Sequence, residues 1–146
     1  MKVTTKFRYG LRAMVVLALN YDRAVLVKEI ADQEEISRKY LDSVLMELKN
    51  AGLIRSIRGA KGGYMLAKPP EKITILEIAQ ALEGSPDLVD CVENPKPCAR
   101  YQTCSTVDFW KNLSETIKNF LKGSTLADLA KKAQEKREQA TLIYYI

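Results

Sequence analysis

Two helical segments of unequal length, joined by a short turn and followed at once by a glycine-rich stretch, constrain the fold of this chain most. Residues 27–33 predict a short helix, and a longer helix is expected from a Ser37 cap to about residue 50. Apolar residues recur at helical spacing in the longer segment and predict its buried stripe: Leu41, Val44, Leu45 and Leu48. This layout predicts a helix-turn-helix.

The glycine-rich stretch predicts a β-hairpin directly after the longer helix. Gly52 is expected to end that helix in the left-handed conformation, 53–57 predicts a strand, and 63–66 predicts its return. Glycines shape the connection, and Arg58 and Lys61 are expected at its tip. A phosphate-binding loop is disfavoured, since the G-x-x-x-x-G-K-[ST] pattern is absent. A helix-turn-helix with a basic wing favours DNA binding over a purely structural role.

Further helical patterns flank this unit. Residues 5–21 predict an amphipathic first helix, and the Thr74 to Glu77 spacing predicts a capping box for a helix that ends at Gly84. A charged helix is expected from Thr125 to about residue 139. The remaining apolar end of the chain has no predicted function beyond covering a groove on a dimer.

A long helix is predicted from Ser105 onward. Its apolar face could be ordinary core, but its length and aromatic anchor favour a homodimer seam; the face comprises Trp110, Leu113, Ile117, Phe120 and Leu121. The predicted fold is therefore mainly α, a winged helix-turn-helix with a small β-hairpin wing plus a long dimerisation helix. The expected divisions are 1–84 for the winged domain, 85–105 for a cysteine loop, and 106–146 for the dimerisation and C-terminal helices.

Three cysteines, Cys91, Cys98 and Cys104, lie in one proline-interrupted segment of a chain without histidine. No targeting segment or membrane-spanning run is visible, because the longest apolar run, 13–19, is far shorter than the ~20 residues that a spanning helix needs. We therefore expect a cytoplasmic protein with no membrane partner. In that reducing compartment, clustered thiols favour metal or redox chemistry over disulfides.

The basic charge is concentrated in the first half of the chain. Residues 1–68 hold 13 Lys/Arg against 7 Asp/Glu, a net +6, whereas 69–146 hold 10 against 11, a net −1, which together give +5. A basic first half favours a polyanionic partner, although charge alone does not separate nucleic acid from an ordinary solvated face.

The ordered set of motifs resembles one family, the IscR/NsrR/RirA-type winged-helix iron-sulfur regulators, over about residues 1–133. The resemblance implies a homodimeric transcription factor that binds a palindromic operator in double-stranded DNA. It also implies an iron-sulfur cluster on the three cysteines, with [2Fe–2S] expected ahead of [4Fe–4S]. The matching segments are Lys6-Phe7-Arg8-Tyr9, Ile36-Ser37-x-x-Tyr40-Leu41, Gly52-Leu53, Arg58-Gly59-x-x-Gly62-Gly63-Tyr64, the cysteine loop and Trp110.

The same resemblance places the DNA contacts. A carboxylate at Asp42 can accept from cytosine N4 but repels phosphate, so it would add selectivity; its alternative role is to balance Lys39 and Lys49. Arg58 matches a wing arginine that enters the minor groove. The resemblance thus assigns DNA contacts to Ser37, Lys39, Tyr40, Asp42 and Arg58. Two further contacts are expected from position alone: Arg38 on the outward face of the helix and Lys61 at the wing tip.

The fourth cluster ligand departs from the family pattern. Val107 stands where IscR-type members carry histidine, and Arg8 stands where NsrR-type members can use an acid. Asp108, one helical turn after Cys104, is the first candidate for an oxygen ligand, with helix capping from Ser105 as its alternative role. Asp90, Glu93, solvent or a small thiol are further candidates, and an open position would resemble the RirA pattern.

Three functions compete on this sequence. The first is an iron-sulfur transcriptional regulator, and the second is a winged-helix regulator that senses through thiol oxidation or zinc. The third is a cluster carrier, for which a basic wing has no use. The sequence does not indicate an enzyme, because it has neither a nucleophile elbow nor a pair of carboxylates in a recognisable catalytic motif.

Overall fold

The computed structural model describes residues 2–94 and 98–145, and the mainly helical prediction is confirmed. The helices and strands are, in chain order, α1 Thr5–Leu19, α2 Val27–Glu34, α3 Arg38–Asn50, β1 Ile54–Ile57, β2 Gly63–Leu66, α4 Ile75–Glu83, α5 Asp90–Glu93, α6 Val107–Gly123 and α7 Leu126–Tyr145. Short 3₁₀ turns cover Pro70–Lys72 and Tyr101–Thr103. No helix in the described part of the chain is long and apolar enough to cross a membrane.

The helix-turn-helix comprises α2, a short turn and α3. The Ser37 side chain caps α3 by accepting from the Tyr40 backbone N–H at 3.2 Å, as predicted. Glu35 ends α2 in the left-handed conformation, with φ 54°. Gly52 follows α3 with φ 76°, which confirms it as the left-handed residue after that helix. The helix α1 ends two residues before the predicted position, at Leu19, where the Asn20 side chain donates to the Val16 carbonyl.

The wing is the antiparallel pair β1 and β2, with Ile54 opposite Leu66 and Ile57 opposite Gly63. A third segment joins it that the sequence did not predict. Val25 and Tyr64 exchange two backbone hydrogen bonds, of 2.9 and 2.8 Å, so the segment just before α2 pairs with β2. The wing is thereby fixed to the helix-turn-helix by backbone pairing as well as by its covalent link.

Most of the buried apolar side chains in the described part of the chain form one cluster, which lies beneath the helix-turn-helix. The predicted stripe of α3 is fully buried there, together with Met14 of α1 and Ile78 of α4. Leu126 of α7 joins this cluster, because the Leu126 N–H donates to the Ile73 carbonyl at 2.8 Å. The start of α7 therefore packs on the winged domain, and the predicted division at 1–84, 85–105 and 106–146 remains a prediction.

The capping predictions have mixed outcomes. Thr74 and Glu77 form the predicted capping box of α4, and Thr125 and Asp128 cap α7 in the same reciprocal way. The capping role predicted for Ser105 with Asp108 is wrong. The helix α6 begins at Val107, two residues after Ser105, and no side chain caps it.

The C-terminal part of the chain exposes much apolar surface. Phe109 and Phe120 of α6 are 60% and 74% exposed, respectively. The helix α7 continues beyond the predicted end near residue 139, and its apolar last residues are exposed along a helix: Leu142, Ile143, Tyr144 and Tyr145. Exposed aromatic surface of this extent is typical of a protein-protein contact.

Candidate DNA-binding surface and cysteine loop

The N-terminal half of α3 presents most of the predicted DNA-contacting side chains to solvent. Ser37, Arg38, Lys39 and Asp42 are exposed, while the apolar stripe faces the core. The first residues of a recognition helix are those that reach base edges in helix-turn-helix complexes. The structure thus leaves these four side chains accessible, and their contact with DNA stays a prediction.

Tyr40 differs from the other residues of this set. It is half-buried, and its ring packs edge-on against Tyr9 of α1, with the ring centroids 5.7 Å apart and the planes at 89°. The amphipathic pattern of residues 5–21 predicted the helix but not this contact. The structure therefore gives Tyr40 a packing role in addition to its predicted role at DNA.

The wing tip carries exposed cations on a tight backbone. Arg58 and Lys61 are both exposed, and the Gly62 N–H donates to the Gly59 carbonyl at 3.0 Å to close the turn. Within 2–94 and 98–145, neither cation forms an ion pair with an acidic side chain. Unneutralised cations at a loop tip are suited to phosphate or to the minor groove.

Gly63→Ala is expected to detach the wing from the segment before α2 and to weaken DNA binding. An added Cβ would lie 2.3 Å from the Val25 carbonyl oxygen, and the φ of 139° already disfavours a side chain at about 1–3 kcal/mol. Gly59→Ala is the matched control, because Gly59 has φ 106° but open space around its Cβ position. Thermal unfolding and DNA titration should show a larger loss for Gly63→Ala. Equal losses would contradict the backbone clash.

The three cysteines lie in the segment that precedes α6 and are free thiols. Cys91 lies in α5 and is half-buried, Cys98 is exposed, and Cys104 is half-buried just before α6. The residues that interrupt this loop, Pro95, Lys96 and Pro97, lie outside the described residues. Asp108 is exposed in the first turn of α6.

The surroundings of Cys104 favour its thiolate. Its Sγ lies 3.4 Å from the Thr106 hydroxyl oxygen. That hydroxyl lowers the pKa of Cys104, assisted by the backbone N–H groups of Thr106 and Val107 and by the charge of Arg100. The thiolate is the form of cysteine that binds metal and reacts with oxidants, so the lowered pKa of Cys104 favours both metal binding and oxidation.

Lys111 is a part of this region that sequence reasoning missed. Its Nζ lies 4.9 Å from the centre of the Tyr101 ring. A hydrogen bond with Tyr101 raises the pKa of Lys111, and the nearby Asp108 and Cys91 contribute in the same direction. A cation therefore lies near two candidate ligands, and its spacing of three residues from Asp108 was the available signal.

The donor set fits a soft metal or cluster in kind, because three thiols lie in one segment and one has a lowered pKa. Among the described residues, however, no three Cys, Asp or Glu side chains are close enough together to hold a metal ion. Binding would therefore require the loop to draw its thiols together.

The first residues of the cysteine loop are attached to α6. Asp87, four residues before Cys91, pairs with Lys118 of α6 at 3.0 Å and accepts from the Ser85 hydroxyl at 2.8 Å. Burial alone would raise the pKa of Asp87, but these two partners outweigh it and lower that pKa. The helix α6 packs in turn against α4, and α4 packs against α3. A continuous path of packed helices thus joins the cysteine loop to the recognition helix α3.

Known proteins are similar to this chain in sequence and in fold. The Rrf2 family model, described as an iron-dependent transcriptional regulator, matches residues 3–132. The transcriptional regulator CymR of Bacillus subtilis (strain 168) is 37% identical over 147 residues, which cover the whole of both chains. The structure of this CymR, titled the global cysteine regulator, superposes with a TM-score of 0.75 over 90% of this chain and 98% of that one.

Two further solved structures are similar. IscR of T. potens has a TM-score of 0.76 at 35% identity and covers 93% of this chain and 90% of its own. An oxidized form of Staphylococcus aureus CymR has a TM-score of 0.69 at 35% identity, over 89% of this chain and 96% of that one. The match to the family model and these full-length similarities agree. The chain belongs to the Rrf2 family of DNA-binding transcriptional regulators.

Proposed function

We propose that this protein is a homodimeric transcriptional regulator whose DNA affinity or target choice is controlled by an iron-sulfur cluster on Cys91, Cys98 and Cys104. The observation that carries the proposal is the grouping of three free thiols, one with a lowered pKa, in a segment attached to α6. The description of the family as iron-dependent supports it. The regulator would act in the cytoplasm and would catalyse no reaction.

A two-fold dimer would present two recognition helices to a palindromic operator, at half-sites separated by a helical turn of DNA or a multiple of it. The exposed aromatic side chains of α6 support such a dimer, because Phe109 and Phe120 would be covered in it. The residues at the major groove would then be Ser37, Arg38, Lys39, Tyr40 and Asp42. Arg58 of the wing would enter the adjacent minor groove, with Lys61 beside it.

The control of DNA binding would depend on movement of the cysteine loop. If the three thiolates converged on one metal centre, the loop would be drawn together. It would then pull on α6, because the Asp87–Lys118 pair attaches the loop to that helix. Because α6 packs on α4 and α4 on α3, this pull would change the orientation of α3 in each subunit. A bound iron-sulfur cluster would be such a centre, and it would also be sensitive to redox change.

Asp108→Ala is expected to shift the visible spectrum of the cluster-bearing protein and to hasten iron loss to a chelator. With no histidine in the chain, an oxygen ligand or an open position must complete the site unless another group enters, and Asp108 is the oxygen ligand that we propose. Asp108 makes no capping bond in the structure, so the substitution should cost about 1 kcal/mol of stability or less. An unchanged spectrum would remove Asp108 from the ligand set.

Purification without oxygen, followed by a visible spectrum and by iron, sulfide and zinc assays, tests the proposed cofactor. Iron and sulfide in near-equal amounts with visible absorption would support the cluster. Stoichiometric zinc in a colourless protein would contradict it, because zinc does not absorb visible light.

The second candidate function is regulation through thiol oxidation or zinc without a cluster. It is favoured by the lowered pKa of Cys104 and by the absence of three assembled ligands among the described residues. Similarity to CymR, described as the global cysteine regulator of B. subtilis, also supports it. Metal-free anaerobic protein whose DNA binding changes on treatment with peroxide, but not in Cys104→Ser, would support this candidate over the cluster.

A further inference from the structure

Four side chains form a bracket across the turn of the helix-turn-helix. We call Tyr9, Arg12, Glu34 and Tyr40 the turn bracket. Two of them belong to α1, Glu34 is the last residue of α2, and Tyr40 lies in the first turn of α3. The helix α1 thus contacts the chain on both sides of the turn.

The contact on the α2 side uses the forked geometry of an arginine. Arg12 Nε donates to the Glu34 carboxylate at 2.9 Å, and Arg12 Nη2 donates to the backbone carbonyl of the same residue. That carbonyl belongs to the last turn of α2, where backbone acceptors have no partner within the helix and where positive charge is favourable. Glu34 is only 21% exposed, so the pair is partly sheltered from solvent. The compact ammonium of a lysine could not make both contacts.

The contact on the α3 side is aromatic. The Arg12 guanidinium lies 5.4 Å from the centre of the Tyr9 ring, and that ring packs edge-on against Tyr40. Tyr9 and Arg12 are three residues apart and so share one face of α1. Glu35, between the two contacts, holds the strained left-handed conformation at φ 54°. The bracket therefore spans the segment whose conformation determines the angle between α2 and α3.

We propose that Arg12, supported by Tyr9, is a positioning residue that sets the orientation of the recognition helix and so determines sequence specificity. Arg12 is an exposed cation, and its obvious alternative role is a contact to DNA phosphate. The two roles differ in what they affect. A phosphate contact strengthens binding to every sequence and steepens its salt dependence, whereas an oriented recognition helix strengthens binding to the selected sequence alone. The inference rests on the proposed DNA-contacting surface.

The test compares two duplexes: one that the parent protein selects from a random-sequence pool, and one of the same composition in shuffled order. Arg12→Lys keeps the charge but loses the fork, and Glu34→Gln removes the bound carboxylate. Each variant is expected to bind the selected duplex about tenfold more weakly, with little change on the shuffled duplex and an unchanged salt slope. Tyr9→Phe should bind both duplexes as the parent does, because it keeps the ring, whereas Tyr9→Leu should lose specificity.

Asp32→Asn is the matched control for Glu34→Gln. Asp32 lies on the same helix, is exposed, and pairs with Lys28, which lies outside the turn bracket. Asp32→Asn removes the same charge as Glu34→Gln, so a general electrostatic effect would appear equally in both variants. We expect the ratio of the affinities for the selected and the shuffled duplex to fall only for Glu34→Gln. Thermal unfolding of each variant confirms that it is folded, and Glu34→Gln serves if an arginine variant is not.

Parent-like specificity of both Arg12→Lys and Glu34→Gln would overturn the proposal. A loss confined to the salt slope in Arg12→Met, with Arg12→Lys unaffected, would also overturn it and would identify a phosphate contact. If Arg58→Ala and Asp42→Ala leave binding unchanged, the DNA surface itself is misplaced and the bracket has no such role. If those two variants lose binding while Arg12→Lys does not, the surface stands and only the bracket is wrong.

Discussion

Binding to a selected palindromic duplex is expected to weaken on the order of 10³-fold between about 50 and about 200 mM salt, if roughly six phosphates are contacted. The reason is the net +6 of residues 1–68, which include the exposed cations of α3 and the wing. Each lysine or arginine that neutralises a phosphate releases condensed counterions, and added salt opposes that release. Fluorescence anisotropy across a salt series measures the effect.

Two substitutions separate affinity from selectivity within this surface. Arg58→Ala should weaken binding, and Asp42→Ala should relax base preference, each by roughly 1–3 kcal/mol at the affected contact. Lys132→Ala is a suitable control, because Lys132 is an exposed cation of α7, outside the proposed surface. Parent-like behaviour of both Arg58→Ala and Asp42→Ala on every duplex would show that the surface is wrongly placed.

Replacement of any one of Cys91, Cys98 or Cys104 by alanine is expected to abolish the visible absorption of the anaerobic protein or to reduce it strongly. Three thiolates are the minimum soft-ligand set in a chain without histidine, so the remaining two cannot hold the cluster firmly. Iron and sulfide assays on each purified variant measure the loss.

Ser105→Ala provides the matched control in the same loop. Ser105 is exposed and does not cap α6, so its substitution should leave iron and sulfide contents at the parent level. A cysteine variant that retains full cluster content would remove that residue from the ligand set.

Local signals made the winged helix-turn-helix predictable. The Ser37 cap, the left-handed Gly52 and the Thr74–Glu77 capping box depend on residues within three or four positions of each other, and the structure has all of them. The strand Gly63–Leu66 matches its predicted bounds, since the glycines determine where the turn can close.

Contacts between distant segments were not predictable in the same way. The pairing of Val25 with Tyr64 joins residues that no short pattern connects, and the Arg12–Glu34 pair depends on how α1 packs across the turn. Capping at Ser105 was predicted from a motif, but the chain becomes helical only at Val107, because the motif does not specify the backbone that precedes the helix.

For the cysteine loop, the sequence supplied the donor types but not their arrangement. Spacing identified Cys91, Cys98 and Cys104 as candidate ligands, whereas the proximity of Lys111 to Cys91 follows only from the packing of α5 on α6. The charge of Lys111 bears directly on the proposed oxygen ligand, because it would compete with a metal ion for the Asp108 carboxylate.

The measurement that tests cluster control most directly is the dissociation constant for the selected duplex, determined without oxygen on cluster-bearing protein and again after a chelator has removed its iron. Iron and sulfide are assayed in both samples, and thermal unfolding shows that both are folded. We expect the two constants to differ by about 5- to 150-fold, the usual range of coupling between two sites, or the preferred sequence to change. Equal constants and an equal sequence preference, in samples whose iron content differs as intended, would contradict control of DNA binding by the cluster.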